Sequence, residues 1–341
     1  MRHYNIPVFV PHKGCPHDCV FCNQRRITGT NEEVTYETVV RIVDEYLKSF
    51  KEQNRKVEIA FFGGSFTAIP MDMQTELLSA AFEYIKDGRV DGIRLSTRPD
   101  AIDYEILDNL KRYGVTTIEL GVQSMDAEVL RLTNRGYEPE VVAESVRKIK
   151  EYNCFSLGLQ MMTGLPGDTD EKSLYTCDCI CSMAPDFVRI YPTLVVKDTA
   201  LADMFEQGVY KPQELDDAVL LCAKLKQKFL ENNIDVIRVS LQTTEEISPD
   251  ASVIGGPFHS AFGELVDNAL FYEKMEKLIS DKNIAAAKLA VNKCEISKAV
   301  GNGKINIKKM LERHGIRIYI YGDEGVPKGQ IRLSEVIENC Y

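Results

Sequence analysis

The chain has 341 residues, 44% hydrophobic and 27% charged, with a net charge of −10. These values lie in the ordinary globular range, exclude a fibrous or low-complexity chain, and argue against a surface that coats nucleic acid over its whole extent, which would be basic. No apolar run approaches the roughly 18 to 20 residues that span a bilayer, and the opening MRHYNIPVF has no signal-peptide core, so a cytoplasmic location is expected.

Ten cysteines in such a chain point to reduced thiols for metal or redox work, or to plain core residues, and not to a disulfide scaffold. Two stretches oppose the overall acidity. Residues 1–30 carry Arg2, Lys13, Arg25 and Arg26 against Asp18 alone. Gly303 to Arg332 carries seven Lys and Arg against three acids. Taken singly, each reads as a solvated face.

The first predicted element is the strand YNIPVFV (4–10). Directly after it, GCPHDCVFCNQ sets Cys15, Cys19 and Cys22 in a C-x3-C-x2-C spacing. A helix follows, with Val39, Val43, Tyr46, Leu47 and Phe50 at helical intervals. The second strand, VEIAFF (57–62), runs into FFGGSFT, where Gly63 and Gly64 put no Cβ between the backbone and a ligand and Ser65 adds a hydroxyl. Leu78, Ala81, Phe82 and Ile85 mark the next helix. The third strand, GIRLST (92–97), ends in STRPD, which offers a hydroxyl at Ser96, a guanidinium and a carboxylate; Asp100 also reads as a helix cap. Ile102, Ile106, Leu107 and Leu110 then form a helix that Gly114 ends.

The fourth strand, VTTIELG (115–121), closes in ELGVQS with Gln123, and Arg135 follows twelve residues later. Gln160 is the oddity of the fifth strand, CFSLGLQMM (154–162), since a buried amide there must find partners, in a site or in the core. Asp168 with Glu171 resembles a capping box. In the CDCIC run on the following helix, Cys179 points about 200° from Cys177 and Cys181, which favours packing over a second metal site. DFVRIYP (186–192) is the sixth strand.

Six β-then-α units imply a parallel sheet with helices outside it, either a barrel or an open doubly wound sheet. In both, ligands collect beyond the carboxyl ends of the strands, where the residues named above lie. After about residue 195 the rhythm changes: helices at 200–208 and 213–232, a strand at 236–242, a helix at 263–280, a strand at 284–291, then shorter pieces. The expected organisation is a barrel domain over 1–195 and a smaller α+β region over 196–341 that covers it, with Gly255, Gly256, Pro257 and His259 either in that cover or in a structural turn.

Three thiolates can hold three irons of a [4Fe-4S] cluster and leave the fourth open to a non-protein ligand. Pro16 would stiffen the loop and Phe21 would shield the cluster from water. A structural zinc site completed by His12 or His17, and a loop with incidental cysteines, are the competing readings.

The cysteine loop, the Gly-Gly stretch and the polar ends of strands four and five resemble the radical S-adenosylmethionine (SAM) enzymes. That resemblance implies a partial TIM-type barrel of six β/α units, a [4Fe-4S] cluster on Cys15, Cys19 and Cys22, and SAM on the open iron. It also implies reductive cleavage of SAM to methionine and a 5'-deoxyadenosyl radical, with a flavodoxin or ferredoxin as electron donor. IYPTLVVK (190–197), QMMTGLPG and GGPFHSAFGELV (255–266) are similar to the Elongator catalytic subunit family. Gln123 and Arg135 are similar to SAM-contacting residues of oxygen-independent coproporphyrinogen III dehydrogenase. Carried over, Gly63, Gly64 and Ser65 meet the methionyl amine, Gln123 and Arg135 the methionyl and ribose part, and Gln160 the ribose side, where the porphyrin enzymes are acidic. Ser96 joins these as a SAM-binding candidate.

Elongator-type proteins carry an acetyltransferase domain after this region, for which 341 residues leave no room, so carboxymethylation of tRNA uridine is not assumed. The cysteine spacing is tighter than in Elongator and suggests a bacterial relative with its own substrate. The likeness and the basic stretches suggest a tRNA base as that substrate. A small metabolite or protein side chain, or a non-catalytic iron-sulfur or zinc module, are the alternatives.

Overall fold

The fold is that of a computed structural model, which describes residues 2–10, 15, 18–23, 34–50, 54–241, 248–249, 251–279 and 284–338. Strand β1 (Arg2–Val10) leads to helix α1 (Tyr36–Ser49), β2 (Arg55–Gly63), α2 (Met71–Lys86), β3 (Gly92–Thr97), α3 (Tyr104–Arg112), β4 (Val115–Gln123), α4 (Ala127–Leu132) and α5 (Pro139–Glu151). Next come β5 (Ser156–Thr163), α6 (Asp170–Met183), β6 (Phe187–Pro192), β7 (Val195–Val196), α7 (Ala200–Glu206), α8 (Leu215–Glu231), β8 (Asp235–Val239) and β9 (Val253–Gly255). The chain continues through α9 (Phe262–Ile279), β10 (Ile284–Val291), α10 (Ile296–Val300), α11 (Ile305–His314), β11 (Arg317–Gly322) and β12 (Ile331–Glu338).

Seven strands form one parallel sheet in the order β1-β2-β3-β4-β5-β6-β8, curled as a partial barrel. The six expected strands are all present, and β8 adds a seventh. Alternation along the pleat sends Ile93 and Leu95, Ile118 and Leu120, and Leu157 and Leu159 to the apolar side, all buried, while the residues between them face the barrel interior. Helix α3 shows the local logic. Asp103 caps its first turn by accepting from the Ile106 N–H at 2.8 Å, and Gly114, at φ +69°, ends it in the left-handed region that favours glycine. Its buried Ile106, Leu107 and Leu110 each contribute about 1.5–3 kcal/mol of apolar burial.

Helix α6 starts one residue later than the expected capping box. Thr169, and not Asp168, is its cap, accepting from the Lys172 N–H. Asp168 instead accepts from the Gly164 N–H and the Ser173 hydroxyl, each at 2.8 Å, and so ties the β5–α6 turn to the helix.

The chain divides into two compact units, Met1–Glu214 with Phe229–Phe258, and Leu215–Lys228 with His259–Tyr341. The expected break after residue 195 does not separate them, because β8 joins the main sheet and β7 pairs with β9, which keeps those segments with the barrel. In the second unit β10 pairs with β11 in parallel and with β12 antiparallel. Its core is Met275, Ile279, Leu289, Met310 and Ile318. Gly256 stands at φ +99°, where an added Cβ would lie 2.7 Å from the Thr193 carbonyl oxygen, so GGPFH contains a tight turn. His259 accepts from the Ala261 N–H at 3.0 Å. Among the described residues no helix is long and apolar enough to cross a membrane.

Candidate active site

The carboxyl ends of the barrel strands bring the candidate residues into three groups. In the first, the Gly64 N–H donates to the Val10 carbonyl at 3.1 Å, joining the ends of β1 and β2, and Gly63 adopts φ +102°. That turn sets the Ser65 hydroxyl 3.2 Å from Cys15 Sγ. The adjacent Thr67 hydroxyl meets Thr97 Oγ1 at 2.6 Å and locks the β2 end to the β3 end.

The second group surrounds Cys19. The loop from Asp18 to Asn23 is pinned at several points. Val20 N–H donates to Thr133 O at 3.1 Å, Leu201 N–H to Val20 O at 2.8 Å, and the Asn23 amide to Lys197 O at 2.7 Å. Phe21 packs with Val195, Leu201 and Tyr210. Held this way, Cys19 is buried, and two guanidinium groups donate toward its sulfur: Arg135 at 3.2 Å and Arg98 at 3.7 Å.

Arg98 is gripped bidentately by Asp100 at 2.8 and 2.9 Å and donates to the Arg135 carbonyl. Arg135 donates to the Gly121 carbonyl and to the Tyr137 hydroxyl. Burial alone would lower the pKa of both arginines; Asp100 reverses this for Arg98, and the electrostatics of Tyr137 and Cys19 do so for Arg135, so both are raised and stay charged.

The third group lies on the interior face. Glu119 accepts from Arg189 at 2.6 Å, Arg94 at 2.5 Å and the Gln160 amide at 2.9 Å. Arg94 also reaches Glu58 at 3.2 Å. Gln160 thus finds a charged partner, and its amide orientation is set by Glu119. Ser96 pairs in register with Glu119 and is half-buried. Gln123 has φ +68° at the end of β4, and its Oε1 is buried without a hydrogen-bond partner.

Among the described residues no group of three or more Cys, His, Asp and Glu converges closely enough to hold a metal ion. Cys15, Cys19 and Cys22 thus share a loop without forming a closed cage. His12, Lys13, Pro16, His17, Arg25 and Arg26 lie outside the described residues. Of the CDCIC cysteines on α6, Cys177 is fully buried, while Cys179 and Cys181 are half-buried. Two fixed guanidinium groups are the electrostatic complement of a thiolate at Cys19, and the orphaned Gln123 amide oxygen calls for a donor.

The profile of the Radical SAM superfamily matches residues 9–179, and that of the Radical_SAM C-terminal domain residues 185–271. The chain belongs to the radical SAM superfamily. It is therefore a radical SAM enzyme, and the family implies SAM and a [4Fe-4S] cluster. The tRNA uridine(34) acetyltransferase of Methanocaldococcus infernus is 25% identical over 303 residues, 77% of this chain and 54% of its own. Elongator complex protein 3 of Dictyostelium discoideum is 31% identical over 201 residues, 53% of this chain and 36% of its own. The archaeal Elp3 structure from Methanocaldococcus infernus, with an N-terminal deletion, superposes at a TM-score of 0.61 with 22% identity, covering 81% of this chain and 63% of that one. The chain spans about a third to two thirds of the length of the curated relatives it matches.

Glu58, Arg94, Glu119, Arg189 and Tyr137 are not among the residues expected from the sequence. The signal was available for four of them. Each of Glu58, Arg94, Glu119 and Arg189 is a charge inside an otherwise apolar strand, the same anomaly that marks Gln160.

Proposed function

We propose that the strand ends hold a [4Fe-4S] cluster on Cys15, Cys19 and Cys22, with SAM bound beside it, and that the substrate is an RNA base, in tRNA. The observation that carries the cofactor reading is the buried Cys19 sulfur between the guanidinium groups of Arg98 and Arg135. When bound, the cluster would supply one electron to SAM, whose carbon–sulfur bond breaks to give methionine and a 5'-deoxyadenosyl radical that takes hydrogen from the substrate.

The chain's own residues do the positioning. Arg98 and Arg135 hold positive charge at the sulfur and fix the cysteine loop to the ends of β3 and β4. Gly63 gives SAM close access to backbone, and Ser65 orients Cys15. Gln123 offers its unpartnered amide oxygen to a donor on SAM, and Glu119 turns Gln160 so that its carbonyl oxygen is free of the Nε2 contact. Ser96 adds a hydroxyl, and Gly64 completes the β2 turn. A flavodoxin or ferredoxin would supply the electron. The name of one curated relative, a tRNA uridine(34) acetyltransferase, supports RNA as substrate, and a base within a helix would have to be turned out of its stack.

Anaerobic reconstitution tests both parts. The cofactor reading expects a brown protein whose reduced-cluster electron paramagnetic resonance spectrum shifts on addition of SAM, with 5'-deoxyadenosine released under dithionite. Cys19→Ala should abolish both. A spectrum unmoved by SAM overturns it. Release that tRNA fails to stimulate overturns the RNA reading and leaves the cofactor reading intact.

A further inference from the structure

The three-stranded sheet of the second unit has one face closed by helices and one left to solvent. Inward, Ala287, Leu289 and Ile318 pack with Met275, Ile279 and Met310 of α9 and α11. Register assigns the outer face. Ala286, Lys288 and Ala290 of β10 lie opposite Arg317, Tyr319 and Tyr321 of β11, and opposite Ile337, Glu335 and Arg332 of β12. The central strand thus contributes two small alanines flanking a lysine, with two tyrosines side by side along one edge.

Those tyrosines are 53% and 42% exposed. Tyr321 donates its hydroxyl to Ser334 of β12 at 2.7 Å, and because β10 separates the two strands, the side chain lies across the sheet over Ala290, which is fully buried. That tether lays Tyr321 along the sheet surface, in line with the exposed Tyr319. Three cations share the outer face with the tyrosines. Lys288 pairs with Glu335 at 2.5 Å, Arg332 pairs with Asp323, and Arg317 has no carboxylate partner among the described residues. Glu335 is the one carboxylate among the nine outer positions, on a chain whose net charge is −10.

Exposed aromatic rings two residues apart on a strand, bordered by Arg and Lys, form a platform on which unpaired bases stack while the cations meet phosphate. A duplex, with its bases already stacked, gives such rings nothing to take. We propose that this outer face binds single-stranded RNA, with Tyr319 and Tyr321 as stacking platforms and Arg317 as a phosphate contact. The face would grip an unpaired segment of the RNA substrate, so the inference rests on the RNA reading above and adds a second, non-catalytic contact surface.

Fluorescence anisotropy of a labelled, unstructured oligoribonucleotide with the full chain tests it, against the same strand annealed to its complement. The expected result is tighter binding of the single strand. Tyr319→Ala should weaken it by about tenfold, Tyr319→Phe should hold the wild-type affinity, and Arg317→Glu should weaken it and lower the salt dependence. Circular dichroism checks that each variant is folded, and Tyr319 is exposed enough that truncation leaves the core intact. Equal affinity for single strand and duplex, or a folded Tyr319→Ala/Tyr321→Ala double variant that binds as the wild type does, overturns the proposal. If tRNA still stimulates 5'-deoxyadenosine release in that case, the substrate reading stands and the sheet surface alone is lost.

Discussion

The barrel sheet and the three-stranded sheet both carry charge on one face, under opposite conditions. Glu58, Arg94 and Glu119 in the barrel are 1%, 4% and 0% exposed, whereas Tyr319 and Tyr321, in register with Lys288 and Ala290, are half in water. A buried charge is tolerable only when paired and hydrogen-bonded, so the barrel charges come as a set in which each member satisfies the others. Exposed charges need no such completeness, because water satisfies what the protein leaves open. The barrel interior is therefore bound to folding, and the outer sheet face is free to vary with its ligand.

The hardest way to break the comparison is to remove the hub of the set. Glu119→Ala leaves the buried Arg94 and the half-buried Arg189 without their shared carboxylate and should cost about 3–5 kcal/mol. Urea denaturation of the purified variant measures it. A loss under about 1 kcal/mol would mean that water replaces Glu119, and the barrel charges would then be no different in kind from those of the outer sheet.

Acid should strike the same set less severely, since protonated carboxyls keep part of their hydrogen bonding. Burial works to raise the pKa of both carboxyls, but Arg94 beside Glu58, and Arg189 with Arg94 beside Glu119, outweigh it and hold them below the ordinary 4.5. A carboxyl with a lower pKa when folded binds more protons when unfolded. Its stabilisation is therefore complete above the unfolded value and is lost as pH falls through the folded one. Urea midpoints should be flat down to about pH 4.5 and then fall, with a shallower fall in Glu119→Gln. An equally steep fall in that variant would place the acid sensitivity elsewhere.

Why the set was hidden in the sequence, when the strands were not, follows from what each signal requires. Strand β3 lies where its apolar run places it, at Gly92–Thr97, because burial and periodicity are local. Likewise the place of Gln123 at the end of β4 is readable once the βα rhythm is seen. That Glu119 meets Arg94 and Arg189 depends on register across β3, β4, β5 and β6, which no local pattern specifies. The α6 cap shows a smaller version of the same limit: Asp168 and Thr169 are both good caps, and only the Gly164 turn, which claims Asp168, decides between them. The second unit's outer face is half-legible, since a basic stretch over Gly303 to Arg332 is visible but the crossing of Tyr321 to Ser334 is not.

Packing inside the barrel offers a milder test. Gly158 lies opposite Phe187 in register, and a Cβ there would stand 2.3 Å from the ring. The ring in turn lies under the Arg94 guanidinium, at 5.5 Å from its centroid. Gly158→Ala must push Phe187 against a charge that is itself fixed by Glu58 and Glu119, and should cost about 1–3 kcal/mol. A neutral result would show that Phe187 can move without disturbing Arg94, which would loosen the claimed unity of the interior.

The smallest expected effect sharpens the contrast most. Lys288 stands at the centre of the outer face with Glu335 as its partner, both about half exposed. Exposed pairs are screened by water and salt and contribute little to stability. Lys288→Met should leave the urea midpoint within error of the wild type's, yet it removes a cation from between Tyr319 and Glu335 and leaves the carboxylate uncompensated toward phosphate. Oligoribonucleotide affinity should therefore fall while stability holds, the reverse of what Gly158→Ala should do. A shifted midpoint together with unchanged RNA affinity would assign Lys288 to the fold and erase the distinction between the two sheets at the position where it is drawn most sharply.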